Sequence, residues 1–204
     1  MARYTGSQTK VSRRFGVYLG GSAKALEKRS FPPGQHGAKG GMRRKQSDYA
    51  IALAEKQKLR HQYGVLERQF RRYFAIATSK GGVTGTILLQ LLETRLDNVV
   101  QKMGFAKTLR AARQMVSHGH VFVNGRRCDV SSANLKVGDE VSIRANDRSK
   151  RLATRAVDQT SAQVIPDWVS VDVAALTGKV LRIPTRDEIA PVANEQLVIE
   201  LYSR

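Results

Sequence analysis

His118 and His120 flank a glycine at the end of a helical pattern, the only close histidine pair in the chain. Two histidines at that spacing rarely hold a metal without a third ligand nearby. Donors beside phosphate are the better reading, and His36 and His61, also in basic surroundings, share it. Asp97 stands two residues from Arg95 and reads as a local ion pair rather than a catalytic acid. There is no G-x-x-x-x-G-K-[ST] loop, no G-x-G-x-x-G after a strand and no G-x-S-x-G elbow. Cys128 is the only cysteine, so neither a disulfide framework nor a four-thiolate metal site can form, and a small packing residue is expected there. These absences argue against an enzyme. What remains is binding chemistry. Lys107, Arg110 and Arg113 share a helix face or its approach, and Arg126 and Arg127 follow Asn124-Gly125. Together they predict a basic groove beside a helix N-terminus, where backbone N–H groups also favour phosphate.

Composition points the same way. The 204 residues carry 35 Lys and Arg against 17 Asp and Glu, a net charge of +18. Such a chain repels itself and calls for a polyanion. The excess is uneven: residues 1–150 hold 29 basic and 10 acidic groups, while residues 151–204 hold 6 and 7. The polyanion contact is therefore expected in the first three quarters, leaving the near-neutral tail for internal packing or another protein. A 41% hydrophobic content suffices for a core. The longest apolar stretch, Ile87 to Leu92, is far short of the ~20 residues of a spanning helix. No secretory signal is visible, and a reducing, cytoplasmic compartment is expected. Nucleic acid is thus favoured over membrane.

The elements that must position these residues follow from periodicity. Residues 1–46, with 11 basic groups, one acid and many glycines, predict an extended arm ordered only by its polyanion. Ser47 and Asp48 open a helix from Tyr49 to Tyr63, with Ala50, Leu53 and Ala54 apolar and Lys56, Lys58 and Arg60 on more polar faces. A second helix, Leu66 to about Thr78, stripes Leu66, Phe70, Tyr73, Phe74 and Ala77, leaving Arg68, Arg71 and Arg72 outward. A third runs from about Gly85 to Leu92. Arg95–Met103 and the Thr108-capped helix ending at Gly119 form a helix–turn–helix. Val121-Phe122-Val123 enters an Asn-Gly hairpin returning over Arg126 to Val130, and Glu140 to Arg144 is a further strand. Residues 145–165 read as a linker or weak helix. Val169 to Val173 alternates as a strand, and Gly178 turns into a last one, where Leu181 and Ile183 alternate with Val180 and Arg182. Asn194 can cap a short helix, although Val198-Ile199 would also suit a strand. The fold class is α+β: a basic arm, a helical domain, and a small α/β module of helix–turn–helix plus antiparallel strands.

Arg95-Leu96-Asp97-Asn98-Val99-Val100, Ala111 through His120 and Val123-Asn124-Gly125-Arg126 resemble the S-four RNA-binding domain. Met1-Ala2-Arg3-Tyr4, Pro33-Gly34-Gln35-His36-Gly37, Ser47-Asp48-Tyr49, Glu55-Lys56-Gln57-Lys58, Tyr63 through Phe70, and Asn194 through Arg204 extend the likeness over essentially the whole chain. It is similar throughout to the bacterial-type small-subunit ribosomal protein S-four family. The resemblance implies a helical domain, residues 47–92 completed by 186–204, into which residues 93–185 are inserted, with the RNA-binding module at about 95–150. It implies binding to the five-prime domain of small-subunit ribosomal RNA and an early role in subunit assembly. It also implies contact with ribosomal protein S-five that influences decoding accuracy. Asn194, Glu195 and Tyr202 would lie near that partner, and Arg43, Arg44 and Lys45 near incoming messenger RNA.

The candidate RNA ligands in the arm are Arg3, Tyr4, Arg13, Arg14, Gln35, His36, Arg43, Arg44 and Lys45. The helical domain adds Tyr49, Lys56, Lys58, Arg60, Arg68, Arg71 and Arg72. The module adds Lys107, Arg110, Arg113, His118, His120, Asn124, Arg126 and Arg127. Tyr63 and Tyr73 are further stacking candidates, Tyr73 better suited to the core. Many relatives bind zinc through four arm cysteines, but residues 1–46 contain none, so no metal or other cofactor is expected. Three rival readings share the features. An RNA-modifying enzyme would need a separate catalytic domain of substantial size. A transient assembly or rescue factor would differ by exchanging from the particle. A membrane-surface protein would need a basic face paired with a broad aromatic one.

Overall fold

A computed structural model describes residues 3–21, 23–38, 46–189 and 192–203. Its contacts separate two compact units, Met1–Gly85 with Pro191–Arg204, and Thr86–Ala190.

The first unit is helical. Helices α1 (Gln8–Phe15) and α2 (Ala23–Lys28) lie in the segment expected to be extended, so that expectation is corrected. Val11 and Ser12 supply the reason. Val11 is buried, and the Ser12 hydroxyl donates to the Gly20 carbonyl at 3.0 Å while accepting from Leu19 N–H at 3.1 Å. One serine thus folds the loop back on its helix. Helix α3 (Asp48–Gln62) starts where expected, Ser47 Oγ accepting from Ala50 N–H, and stops at Gly64 with φ +58°. Its buried face is Ala52, Lys56 and Leu59, not Ala50, Leu53 and Ala54. Helix α4 (Glu67–Ser79) buries Phe70, Tyr73 and Ala77. Residues 195–203 resolve the helix-or-strand alternative as helix α9 (Glu195–Ser203), which packs on α3. Asn194 Oδ1 accepts from Gln196 N–H at its start. Val198 is completely buried, a burial contributing about 1.5–3 kcal/mol.

The second unit places helices around an antiparallel sheet. Helix α5 (Thr84–Glu93) leads in from the first unit and buries Leu88, Leu89 and Leu92. Helices α6 (Leu96–Lys102) and α7 (Leu109–Ser117) form the expected pair, α7 capped by Thr108 Oγ1 accepting from Ala111 N–H. Strands β1 (Val121–Val123) and β2 (Arg126–Arg127) meet at Asn124 (φ +50°) and Gly125 (φ +74°), the conformation that matches strand twist in a two-residue hairpin. The return strand is shorter than Arg126 to Val130. Strands β3 (Glu140–Ile143), β4 (Val169–Asp172) and β5 (Thr177–Val180) complete a sheet ordered β2-β1-β3-β5-β4.

Three expectations change here. Residues 147–160 are a full helix, α8 (Asp147–Thr160), capped by Asn146 Oδ1 accepting from Arg148 N–H. Gly178 sits inside β5, not at a turn, opposite Val141 and Val171. A Cβ there would stand 2.7 Å from the Met103 sulfur, so only glycine lets α6 approach the sheet. Finally, β5 ends at buried Val180, and Leu181 and Ile183 are about half exposed. Trp168, the chain's only tryptophan, is 2% exposed in the core with Val99, Phe105, Val116 and Val141.

Candidate nucleic-acid interface

The first unit sorts its cations into buried and exposed sets. Lys56 is only 7% exposed and its Nζ lies 2.8 Å from Glu67 Oε1. Arg60 Nη1 stands 3.6 Å and Arg71 Nε 3.7 Å from the same carboxylate, and Tyr202 donates to it at 2.8 Å. Burial pushes the Glu67 carboxyl up, but hydrogen bonds from Lys56 and Tyr202 and the charges of Lys56 and Arg60 outweigh it and hold the group below its ordinary value. Lys56 is therefore a structural ion-pair partner, which corrects its placing on a more polar face. Lys58 is half-buried and bound to Glu55 at 2.6 Å. Tyr63 and Tyr73 are buried, 2% and 8% exposed, so neither offers a ring to an unstacked base. Arg68, Arg71 and Arg72 stay on the exposed side of α4, and Tyr49 is exposed at the start of α3.

The arm carries Arg3, Arg14, Gln35 and His36 at its surface. Tyr4 packs edge-on against His61 with ring centroids 5.0 Å apart. Burial, and then the charges of Arg60 and Arg14, push the His61 pKa down, so its neutral form is favoured. Arg13 is engaged internally. Its guanidinium donates to the carbonyls of Arg29, Phe31 and Pro32 and lies 4.9 Å from the Phe31 ring centroid. Arg43, Arg44 and Lys45 lie outside the described residues.

The tail candidates face inward more than expected. Tyr202 stacks on Phe74 at 4.8 Å, and burial with its bond to Glu67 pushes its phenol well up. Its contacts are thus intramolecular. Asn194 N–H donates to Glu55 Oε2, and Glu195 lies against Gly85.

In the second unit, α7 begins with exposed Lys107 and Arg110 and ends near exposed His118. Arg127 crosses over Gly119, whose φ of +71° and lack of a Cβ leave room for the guanidinium. The hairpin and α7 thereby present one basic surface, with Arg126 exposed beside it.

Three of the predicted ligands are committed elsewhere. Arg113 donates to Asp97 Oδ2 from Nε at 2.8 Å and from Nη2 at 2.6 Å. Arg95 grips the same completely buried carboxylate at 3.0 and 2.8 Å. The Arg95–Asp97 pair is as expected, but Arg113 is its third member, positioning α7 against α6. Asn124 spends its amide within the fold, donating to Asp139 Oδ1 and accepting from Glu140 N–H, both at 2.9 Å. His120 Nδ1 lies 2.9 Å from Ser149 Oγ, and burial followed by the charges of His118, Arg144 and Arg148 push its pKa down.

Sequence reasoning also missed cations. Arg148, Arg151 and Arg155 line the exposed side of α8, opposite buried Ser149 and Ala153. Their i, i+3, i+7 spacing after the Asn146-Asp147 start was the available signal. Among the described residues no helix is long and apolar enough to cross a membrane, and no group of three or more His, Cys, Asp or Glu is placed to hold a metal.

Comparison with known proteins gives the chain its class. The family model described as "Ribosomal protein S4/S9 N-terminal domain" matches residues 3–93, and that described as "S4 domain" matches residues 94–141. Together they define an RNA-binding ribosomal protein built around an S4 module. The chain is 58% identical to small ribosomal subunit protein uS4 of Akkermansia muciniphila and 54% identical to that of Opitutus terrae, each over 204 residues and the full length of both chains. It is 49% identical to the Thermus thermophilus protein, again over all of both. The chain belongs to the small ribosomal subunit protein uS4 family, whose members are ribosomal constituents rather than enzymes.

Proposed function

We propose that this chain is a structural constituent of the small ribosomal subunit that binds small-subunit ribosomal RNA directly, through the outer face of α4 and the α7–hairpin surface. The observation that carries the reading is the sorting of cations. Lys56, Arg95 and Arg113 are held by carboxylates inside the fold, while Arg68, Arg71, Arg72, Lys107, Arg126 and Arg127 remain exposed. Guanidinium forks suit phosphate oxygens because one fork donates two bonds to one group. With about ten phosphates neutralised, affinity would fall about 10³–10⁵ between 50 and 200 mM salt. Specificity then comes from the shape of a folded junction in the five-prime domain rather than from a base sequence.

The finer reading is that early binding helps nucleate subunit assembly in the cytoplasm, and that the tail meets ribosomal protein S-five and so contributes to translational accuracy. Asn194 and Glu195 are its remaining contact candidates; Tyr202 acts by holding α9 in place. Residues 43–45 would approach incoming messenger RNA. Gradient sedimentation of a lysate at low and high salt tests the structural role. About one copy per small subunit under both conditions is expected. Release at high salt, or migration with large subunits, would instead indicate a transient assembly or rescue factor.

A further inference from the structure

We propose that a cavity of about 240 Å³ between α7 and α8 receives a single unstacked RNA base, an inference that rests on the RNA-binding reading above. The cavity belongs entirely to the second unit. Its floor is apolar, formed by Phe105 and Met115, which are 0% and 2% exposed. Such a floor suits a flat ring and would repel a hydrated phosphate. The volume is below the ~300–1,000 Å³ usual for drug-sized ligands, and fits one heterocycle better than a whole cofactor.

The walls and mouth distinguish a base from a hydrophobic side chain of a protein partner. Exposed Gln114 from α7 and Gln159 from α8 both line the cavity. Their amides each carry both a donor and an acceptor, as reading a base edge requires. Exposed Lys107 and Arg155 also line it and can reach the phosphates flanking a splayed nucleotide. Among the described residues no acidic side chain lines the cavity while two cations do, so the local charge favours an anionic chain over a neutral or cationic one. The basic α7–hairpin surface runs directly alongside, because His118 belongs both to the cavity lining and to the end of α7 that Arg127 crosses. Single-stranded bases turned out of a folded RNA and held by their edges are the usual currency of sequence-selective RNA contact. This pocket would add such a contact to an otherwise shape-based interface.

Filling the cavity without changing charge tests the idea. Ala111→Phe, from the exposed α7 wall, and Ala156→Phe, from the α8 wall, are compared with the unmodified full-length chain. The probe is a transcript of the five-prime domain of small-subunit ribosomal RNA, read with base-reactive reagents for all four nucleotides. The expected result has three parts. One base protected by the unmodified chain becomes reactive again with both variants, affinity falls about tenfold, and the dependence of affinity on salt keeps its slope. Unchanged protections and affinity with either folded variant would overturn the pocket while leaving the RNA-binding function standing. A loss accompanied by a shallower salt slope would also overturn it, since the damage would then be to phosphate contacts. Failure of the unmodified chain to bind the transcript would overturn the RNA-binding reading itself, and the pocket with it.

Discussion

Asp97→Asn should unfold the second unit at markedly lower denaturant concentration. The Asp97 carboxylate is 0% exposed and accepts four bonds from Arg95 and Arg113 and a fifth from Asn98 N–H at 3.0 Å. Asparagine keeps the shape but turns one oxygen into a donor and removes the charge. Arg95 is itself 2% exposed, so it loses the carboxylate that grips its guanidinium at a position shielded from water. Breaking a buried pair in that way costs about 3–5 kcal/mol. Arg113, whose side chain is 16% exposed, can turn toward solvent. Arg113→Ala leaves the Arg95–Asp97 pair intact and should cost only about 1–2 kcal/mol. Trp168 makes the assay specific, since it is the sole tryptophan and lies in the core of this unit. Its fluorescence, followed through urea or heat, should show a melting temperature lowered by about 12–20 °C in Asp97→Asn. A loss under about 1 kcal/mol, or an Arg113→Ala cost equal to that of Asp97→Asn, would refute the claim that a buried charge balance holds α6 and α7 together.

Three further outcomes are expected. Replacing Arg68, Arg71 and Arg72 together by alanine should weaken ribosomal RNA binding and flatten the log–log salt dependence by about 2–3 units; an unchanged slope would remove α4 from the contact. Glu67→Gln should cost about 2 kcal/mol near neutral pH, because it strips a charged partner from buried Lys56. Glu67 ionises more readily folded than unfolded. Its stabilisation is therefore present above its unfolded value of about 4.5 and lost as pH falls through the lower folded value. The deficit of the variant, measured by far-ultraviolet circular dichroism, should shrink in acid; a constant deficit would contradict the assigned role. Gly178→Ala should destabilise the Trp168-reported transition by about 1–3 kcal/mol, since its methyl meets the Met103 sulfur and the Ser170 carbonyl. A neutral effect would show that α6 has slack over the sheet.

The helix–turn–helix was legible because each part is a local signal. Leu96, Val99, Val100 and Met103 mark one face, Thr108 caps the next helix, and Gly104 and Gly119 adopt positive φ values at the stops. The Asn124-Gly125 turn is equally local. Helix α3 was harder to read. Its cap was clear, but its apolar residues spread round the cylinder, and the buried face was decided by what α9 and α1 laid against it. Helix α8 was hidden by its polarity: only Ser149 and Ala153 are buried, so periodicity offered little beyond the Asn146 cap. The arm misled for a related reason. Its glycines and charges suggested an extended chain, yet one small hydrogen-bonded serine and two apolar residues organise a helix and its return loop.

The candidate site divides along the same line. Net charge, its concentration before residue 150, and the motifs along the chain determined a polyanion-binding protein of this family, because charge and local pattern survive in a linear string. Which cation meets the polyanion was a tertiary decision. Lys56 and Arg113 look no different in sequence from Arg68 and Arg126, and only packing brought Glu67 to one and Asp97 to the other. Glu67 is 11 residues from Lys56 and Asp97 is 16 from Arg113, distances at which no helical or strand periodicity pairs side chains. The physical reason is that burial removes water from both partners. Once desolvated, a cation must satisfy itself with the nearest carboxylate, and its position in the folded chain, not its identity, selects that carboxylate.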